Sequence, residues 1–404
     1  MQSLKNLKDN RILRTALLFV LAALSALSLI QGIRNAVSFS QDFQWDAAKA
    51  LAMRLDPYEL SMTPQDAGRY PSLAAFYRMF TDRGLTQKME ANQFPSLLML
   101  LFPMTLFLPQ TAKIIWLVLN ILFTAGIIFL LRKTFFEDTD AYPFAVMILL
   151  MIAGTPYRNQ LGVGQHTLFS FFFFMLAVYL DKKASGDGKR AVIPVALCLF
   201  ISYFKYTLTA PLALYFVYKR RIKELVISVA AHVLLTFAAA LWLGKSFLDM
   251  ITEPLKVASV LTSEGSFDLG ALLGSPYAFI VAGLIFAALF VISVTFCEGR
   301  DKELFALLVV WSLVLTYHRT YDFFALTAAG AAFINTKSDD RGVFDTVITV
   351  WYVILLLMVY FMLRIFDENA VSLAVCGTCY YAFAVVSGIM AVKMIKDERI
   401  RVNG

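Results

Sequence analysis

The stretch ILRTALLFVLAALSALSLIQG (residues 12–32) contains about twenty mostly apolar residues, the length that an α-helix needs to cross a bilayer. Over the whole chain of 404 residues, 59% are hydrophobic and 16% are charged. About a quarter of the residues of an ordinary soluble protein are charged, and a soluble domain could not cover this much apolar surface. We therefore predict an all-α polytopic membrane protein in which residues 1–404 form a single transmembrane domain.

Apolar runs recur along the rest of the chain and predict about twelve transmembrane helices. They lie near residues 12–32, 111–131, 141–153, 167–181, 191–204, 205–218, 224–243, 276–296, 303–317, 320–335, 344–363 and 371–392. Segment 94–109 contains three prolines, and we interpret it as interfacial or re-entrant. With a cytoplasmic N-terminus, this choice places most of the basic clusters in the cytoplasm, as the positive-inside rule requires. The net charge of +7 then reflects orientation and gives no indication of a nucleic-acid partner.

This topology leaves two long loops on the outer side, at residues 34–93 and 244–275. The first contains FSQDFQWDAAKALAMRLDPYE (residues 39–59), in which Asp42, Asp46 and Lys49 are spaced to share one helix face. An amphipathic helix at the membrane surface with a solvated acidic face is one explanation. Carboxylates placed for chemistry at the mouth of the first span are the other.

Three short outer turns are also polar: GTPYRNQLGVGQHT (154–167), SYFKYT (202–207) and TYHRTYDFF (316–324). Each has an ordinary explanation, as a hairpin cap, a lysine that snorkels to the headgroups, or a loop ion pair. Polar groups near membrane depth are nevertheless costly unless they line a cavity. Among these residues His318 is a candidate catalytic residue. The candidate substrate-binding residues are Arg158, Gln165, His166, Lys205, Arg319 and Asp322. Acids that face cations suit a reaction in which a hydroxyl is deprotonated and an anionic phosphate departs.

The sequence predicts no metal and no cofactor. Cys376 and Cys379 have no second cysteine pair or histidine nearby, which argues against zinc. None of the predicted outer loops and turns contains a tight acidic cluster of the DxD type either. A departing phosphate needs no metal when cationic side chains hold its charge.

The chain resembles the GT-C superfamily of membrane glycosyltransferases, and in particular the family 87 branch, which includes polyprenyl-phosphate-mannose-dependent mannosyltransferases. The similar motifs are QDFQWDAAKALAMRLDPYE, NQLGVGQHTLF, FKYTLTAPLAL and YHRTYDFFAL, which follow one another in the family's order over most of the chain. The resemblance implies a catalytic aspartate in the first extracytoplasmic loop. It also implies a lipid-phosphate-linked sugar as donor and inversion at the anomeric carbon.

Carried over to this chain, the resemblance makes Asp42 the general base and places His318 beside a substrate phosphate. It makes Lys205 and Arg158 phosphate contacts. One departure is that Trp45 stands where the family often has tyrosine. Asp46 supplies a second carboxylate one helical turn further on, and we predict that it binds substrate while Asp42 acts as the base.

The predicted function is that of an inverting glycosyltransferase of the cell membrane with its active site on the extracytoplasmic face. It would move mannose or a related sugar from a polyprenyl-phosphate donor to a lipid-linked or glycan acceptor hydroxyl, with membrane lipids as its other partners. A transporter or flippase of a lipid-linked or anionic substrate is the alternative, which predicts charges at mid-span and repeated halves. A scaffold without catalysis leaves the polar outer turns unexplained.

Overall fold

The computed structural model describes residues 11–39, 43–62, 71–85, 89–260, 267–274, 277–296, 299–334, 343–366 and 369–403. All regular structure in these ranges is helical. The first half contains α1 (Arg11–Ser38), α2 (Trp45–Ala52), α3 (Pro57–Met62), α4 (Pro71–Thr81), α5 (Pro95–Leu98), α6 (Pro109–Thr134), α7 (Ala141–Ala153), α8 (Thr155–Val163), α9 (Thr167–Gly186), α10 (Val192–Ser202), α11 (Tyr206–Leu212) and α12 (Leu214–Tyr218).

The second half contains α13 (Ile222–Leu243), α14 (Phe247–Val260), α15 (Leu269–Leu273), α16 (Tyr277–Thr295), α17 (Asp301–Leu315), α18 (Gly330–Phe333), α19 (Val343–Leu357), α20 (Leu363–Ile365) and α21 (Ala370–Asn403). The 3-10 segments are Met99–Leu106, Tyr203–Lys205 and Thr320–Ala329, and a π-helical turn covers Met358–Met362.

The apolar composition of these helices fits a multi-pass membrane protein. Within the described ranges, seven helical stretches are long and apolar enough to cross a bilayer, or eight if the bent pair α8 and α9 is counted as one span. The seven are Arg11–Ser38, Pro109–Thr134, Val192–Leu212, Ile222–Leu243, Tyr277–Thr295, Asp345–Ile365 and Ala370–Lys393. The structure therefore supports a helical membrane protein, while the count of twelve spans stays a prediction.

Several of the other predicted spans are short or irregular helices enclosed by the rest of the protein. Helix α17 is almost entirely buried, and the predicted span at 320–335 begins as the buried 3-10 segment Thr320–Ala329. Phe174 of the Phe-rich helix α9 lies parallel to Phe305 of α17, with ring centroids 6.3 Å apart. Phe135, directly after α6, stacks on the Phe305 ring as well, at 4.2 Å. These elements form the interior of the bundle, and the predicted outer turns lie at their ends.

The chain reverses its direction near Lys205. The Lys205 backbone N–H donates to Ser170 Oγ at 2.8 Å, near the start of α9, whereas Arg221 Nε contacts Asp181 Oδ1 at 2.5 Å, near the end of α9. Those two positions are about 16 Å apart along the helix. The segment from α10 to α12 therefore runs along α9 in one direction and returns in the other. This contact pattern places Lys205 at a turn inside the stretch Val192–Leu212, so the length counted for that stretch is shared between α10 and α11 on the two sides of the turn.

The first outer loop differs from the predicted helix in one respect. Helix α2 begins at Trp45 because Gln44 has a left-handed backbone with φ 59°, so the helix-face argument that joined Asp42 to Asp46 does not apply. Asp42 itself lies outside the described residues. Helix α2 packs on the 3-10 segment that follows α5, where the Trp45 indole N–H donates to Met104 O at 3.1 Å. The predicted solvated helix is instead largely buried.

Segment 94–109 is folded as α5 and the 3-10 segment Met99–Leu106. These two elements rise about 22 Å together, which is short of the roughly 30 Å of hydrocarbon that a crossing helix must cover. His232 in α13 holds the start of the segment through its contact with Ser96 Oγ at 3.0 Å. That the segment does not cross the membrane stays a prediction.

Candidate functional site

A sharp bend between α8 and α9 creates the first part of the site. The two helices meet at an angle of 107°, and Gly164 in the left-handed region ends α8. The Trp116 indole N–H donates to Gly164 O at 2.8 Å and fixes the turn. Gly162 lies so close to α1 that an added Cβ would stand 2.9 Å from Asn35 Cβ. The bend points His166 and Thr167 into the protein.

Asp322 is the centre of a buried polar cluster that joins three distant parts of the chain. Its Oδ2 atom lies 2.9 Å from His318 Nδ1 and 3.3 Å from Lys205 Nζ, and its Oδ1 atom accepts a hydrogen bond from the Thr167 hydroxyl. Asp322, His318 and Thr167 are fully buried, and Lys205 is 7% exposed. A buried carboxylate is stable only when cations or hydrogen-bond donors surround it. Asp322 has three such partners, which are Lys205, His318 and Thr167.

The contact with Asp322 determines the protonation pattern of His318. A carboxylate accepts hydrogen bonds, so the neighbouring Nδ1 atom carries the proton and Nε2 is left as the second functional atom of the ring. Nε2 is buried and has no hydrogen-bond partner within the described residues. His318 therefore has one ring nitrogen anchored by Asp322 and one buried ring nitrogen without a hydrogen-bond partner among the described residues.

His166 has a similar arrangement, with one ring nitrogen hydrogen-bonded and the other buried. Its Nε2 atom lies 3.0 Å from Phe43 O and must donate to that carbonyl, while Nδ1 has no partner among the described residues. The ring stacks on Phe204 with centroids 4.2 Å apart. Phe43, which follows Asp42 in the chain, also stacks on Trp116 at 4.8 Å. The first outer loop is thus anchored beside His166.

A polar cavity of about 220 Å³ opens beside the cluster. Lys205 belongs to both, because its side chain contacts Asp322 and the residue is part of the lining of the cavity. The wall offers amides, hydroxyls, one carboxylate, two cations and several aromatic rings. Its members are Gln44, Glu90, Asn92, Gln93, Gln165, Phe204, Lys205, Tyr206, Thr207, Ala258, Tyr317, Arg319 and Tyr321. Such a surface can hydrogen-bond several hydroxyls and hold one anion.

The predicted site residues separate into those that the fold brings together and those that it does not. Gln165, Lys205 and Arg319 line the cavity, and His318 and Asp322 form the cluster behind it. The Arg319 guanidinium is exposed and its Nε donates to Tyr317 Oη at 2.7 Å.

Two predicted residues lie elsewhere in the structure. Arg158 donates from Nη1 to Gln31 Oε1 at 3.3 Å, and the lining of the cavity does not include it. Asp46 lies in the first turn of α2, where its charge acts on Lys113. The side chain of Lys49, which the spacing placed on the same helix face as Asp46, donates to Thr105 O at 3.1 Å.

Several residues near the site gave little signal in the sequence. Thr167 is the cluster's hydroxyl donor, and Tyr321 places its ring centroid 5.5 Å from Lys205 Nζ. Glu90 contributes the carboxylate of the cavity wall. Asp268 accepts from the His318 backbone N–H at 3.0 Å. Among these residues, only Asp268 could have been assigned a structural role from the sequence, because an aspartate directly before a short apolar run is a typical helix N-cap.

An ion pair joins the two outer loops at the edge of the site. Lys245 Nζ lies 2.7 Å from Asp56 Oδ2 and 3.6 Å from Glu253 Oε1. The contact with the Asp56 carboxylate raises the pKa of Lys245 above its usual value. Partial burial raises the pKa of the Glu253 carboxyl. The two outer loops therefore contact each other through an ion pair.

The described part of the chain contains no group of three histidine, cysteine, aspartate or glutamate side chains that could hold a metal ion. The cations of the site are instead Lys205 and Arg319, with the imidazoles of His166 and His318 close by. The chemistry that these residues offer is the binding of an anion and the donation or acceptance of a proton.

The fold and the site define a helical membrane protein with a polar, cation-bearing cavity at one end of its bundle. The sequence model of Glycosyltransferase family 87 matches residues 95–334, which is more than half of the chain. The protein therefore belongs to this family of GT-C-like membrane glycosyltransferases. No curated protein and no solved structure matches the chain. The matched region includes His166, Lys205, His318 and Asp322 and begins after Asp42 and Asp46.

Proposed function

We propose that this membrane glycosyltransferase takes its sugar from a polyprenyl-phosphate donor and transfers it, with inversion, to the hydroxyl of a lipid-linked or glycan acceptor. The observation that carries the proposal is the double position of Lys205, a residue whose ammonium group is held by the buried Asp322 and which also belongs to the lining of the polar cavity. A cation fixed in this way is suited to an anionic leaving group.

The phosphate of the donor is proposed to lie between Lys205 and Arg319. An ammonium group has three donors, and one contact at 3.3 Å to Asp322 leaves it able to bond a phosphate oxygen. Arg319 stands across the same cavity and offers further N–H donors. Asp322 holds both Lys205 and His318, so it keeps the site's cationic side in place without contacting the phosphate itself.

In the proposed reaction the acceptor oxygen attacks the anomeric carbon from the face opposite the phosphate. The bond between that carbon and the phosphate oxygen breaks, and its electron pair leaves with the polyprenyl phosphate, whose charge Lys205 and Arg319 stabilise. Asp42 accepts the proton of the acceptor hydroxyl. Support for this role comes from the family resemblance and from Phe43, the next residue, whose ring and carbonyl are held at Trp116 and His166.

The sugar is proposed to occupy the cavity beside these cations. Gln44, Gln93 and the Glu90 carboxylate offer acceptors and donors for sugar hydroxyls, and the rings of Tyr206 and Tyr321 offer faces for its C–H groups. A hexose or pentose such as mannose matches this mixture of polar atoms and aromatic rings. Sites built in this way reject ligands that lack the matching hydroxyls, because their buried polar atoms would remain unpaired.

The same proposal places the cavity on the extracytoplasmic face of the cell membrane, in a twelve-span topology with both termini in the cytoplasm. Basic residues support this orientation, because Lys182, Lys183, Arg221 and Lys302 lie at the end of the bundle opposite Lys205. The donor's polyprenyl tail would then enter from the lipid and its phosphosugar from the outer surface.

The test uses purified protein in liposomes, a radiolabelled polyprenyl-phosphate mannose and a total membrane lipid extract as the acceptor source. We expect labelled product together with free polyprenyl phosphate. Movement of unchanged donor between leaflets, without product, would instead identify a flippase. For sidedness, Asp187→Cys and Ser259→Cys are introduced separately into a cysteine-free background and probed in intact cells with an impermeant thiol reagent. Labelling of position 187 rather than 259 would reverse the proposed orientation.

A further inference from the structure

Asp268 connects the second outer loop to the buried cluster through both oxygens of its carboxylate. Its Oδ1 atom accepts from the Ala271 backbone N–H at 3.1 Å, which caps α15, and its Oδ2 atom accepts from the His318 backbone N–H at 3.0 Å. The residue is 2% exposed. One buried side chain therefore joins a helix start in the second outer loop to the main chain of the site histidine.

The neighbouring residue reinforces this attachment. Phe267 O accepts a hydrogen bond from the Tyr381 hydroxyl at 2.6 Å, and the Phe267 ring meets Phe323 edge-on at 5.0 Å. Phe323 directly follows Asp322, the centre of the cluster. Residues 267 and 268 thus hold the chain on both sides of the segment that carries His318 and Asp322.

His318 is fixed at two points by these contacts. Asp268 holds its backbone nitrogen and Asp322 holds Nδ1 of its ring, at 3.0 Å and 2.9 Å. With the main chain and one ring nitrogen anchored, the direction of the remaining Nε2 atom is determined. Without Asp268, the ring would keep its bond to Asp322, but the main chain that carries it would lose an anchor.

We propose that Asp268 is a positioning residue of the transfer reaction, which acts by holding the His318 main chain so that the imidazole keeps its place beside Lys205. The inference rests on the proposed function. It assigns to the second outer loop a part in organising the site rather than only in covering it. Preorganised groups lower a barrier only when they are held where charge develops, so loss of the anchor reduces turnover more than binding.

The chemistry of the two bonds explains why a carboxylate is required. Both partners of Asp268 are N–H donors, and an asparagine offers one oxygen acceptor and one NH2 group that cannot accept. Asp268→Asn therefore leaves either the Ala271 or the His318 N–H without its partner. An unsatisfied buried N–H is costly, so the size-conserving variant is already informative.

The experiment measures transfer by liposome-reconstituted Asp268→Asn, with polyprenyl-phosphate mannose as donor and the membrane lipid extract as acceptor. We expect kcat to fall about tenfold or more, with the donor KM changed by about twofold at most. The matched control is Asp249→Asn, in the same outer loop, because that exposed carboxylate accepts from Ser246 N within its own turn. It should behave as wild type.

Wild-type kcat in Asp268→Asn would overturn the inference, and so would an equal loss in the Asp249 control. If Asp268→Asn does not yield folded protein, Tyr381→Phe tests the same attachment by removing the bond to Phe267 O, with a smaller loss of kcat expected and no loss as the contrary result. If the wild-type protein shows no transfer, the proposed function fails instead. Hydrogen exchange of a peptide spanning residues 316–322 then decides whether Asp268 anchors His318, since its amides must exchange faster in Asp268→Asn.

Discussion

Lys205 and Arg158 are both basic residues in short polar turns, and the family resemblance predicts a phosphate contact for each. The fold gives them different surroundings. Lys205 is buried, lies 3.3 Å from the Asp322 carboxylate and lines the cavity. Arg158 instead shares the Gln31 side-chain oxygen with Arg364, each at 3.3 Å. A cation beside a buried carboxylate and a cavity is prepared for an anionic substrate, whereas one bound to a neutral amide at the bundle's rim stabilises the packing of helices.

The two carboxylates of the first outer loop, Asp42 and Asp46, form a second pair of similar residues for which we expect different roles. Asp46 lies in helix α2, where its charge acts on Lys113, and Asp42 is the residue that the family resemblance makes the base. Asp42→Asn keeps the size of the side chain and removes its basic site. We expect transfer to fall by about a hundred- to ten-thousand-fold, the usual effect of losing a general base. Donor binding and thermal stability should remain near those of the wild type.

Asp46→Asn is the matched control for this change, and it should keep most of its activity. The measurement is the rate of product formation at saturating donor, with donor binding measured separately. An inactive Asp46→Asn beside an active Asp42→Asn would exchange the two roles. Normal transfer by both variants would remove the first outer loop from the catalytic mechanism.

The pair Lys205→Ala and Arg158→Ala tests the comparison directly. Loss of a charge-assisted contact at Lys205 should weaken donor use about ten- to a hundredfold, from the roughly 1.5–3 kcal/mol that such bonds contribute. Arg158→Ala should change donor use much less, since the cavity wall does not include Arg158. The measurement is kcat/KM for the polyprenyl-phosphate sugar. Equal losses in the two variants would show that Arg158 contributes as much as Lys205 to binding of the donor phosphate.

Stability must be measured alongside, because Lys205→Ala also removes a partner from a buried carboxylate. Breaking such a pair on one side costs about 3–5 kcal/mol, whereas neutralising both sides costs less. The double variant Lys205→Met and Asp322→Asn should therefore melt closer to the wild type than Lys205→Ala does, while remaining defective in donor use. Recovery of activity together with stability would mean that Lys205 acts only through the fold.

The smallest expected effect concerns the ion pair between the outer loops. Because the pKa of Lys245 is raised in the folded protein, its contribution to stability is present below the unfolded pKa of about 10.5 and is lost as pH rises through the folded value. Lys245→Met should lower stability by at most about 1 kcal/mol, since the side chain is about a third exposed.

The check is a series of thermal melts between neutral and strongly alkaline pH. The difference between the wild type and Lys245→Met should shrink above about pH 10.5, the ordinary pKa of lysine. Lys256→Met, an exposed lysine of α14 in the same outer loop, controls for the general effect of removing a charge. A difference that does not depend on pH would show that Lys245 stabilises the loops by packing of its alkyl chain.

The sequence was sufficient for the class of fold and for part of the site. Apolar length and the scarcity of charge predict membrane helices, because the cost of placing polar groups in hydrocarbon is large and local. The pair His318 and Asp322 could be predicted from a spacing of four residues, and the two are indeed in contact. Lys205 could be recognised as a polar residue in a short turn between two apolar runs. These are properties of neighbours along the chain, which a sequence displays directly.

Only the tertiary structure decided which distant residues meet. Thr167, Lys205 and Asp322 are brought together by the bend after α8, the reversal at Lys205 and the buried 3-10 segment, and no local pattern encodes that meeting. The start of α2 at Trp45 depends on the left-handed backbone of Gln44, whose side chain also reaches Glu90 O at 2.9 Å. In the sequence, Asp268 and Arg158 are both polar residues of predicted outer loops or turns. In the structure, Asp268 contacts His318 of the buried cluster, whereas Arg158 contacts Gln31. The physical reason is that the free energy of a buried polar group depends on its partners, which the folded chain alone brings into contact.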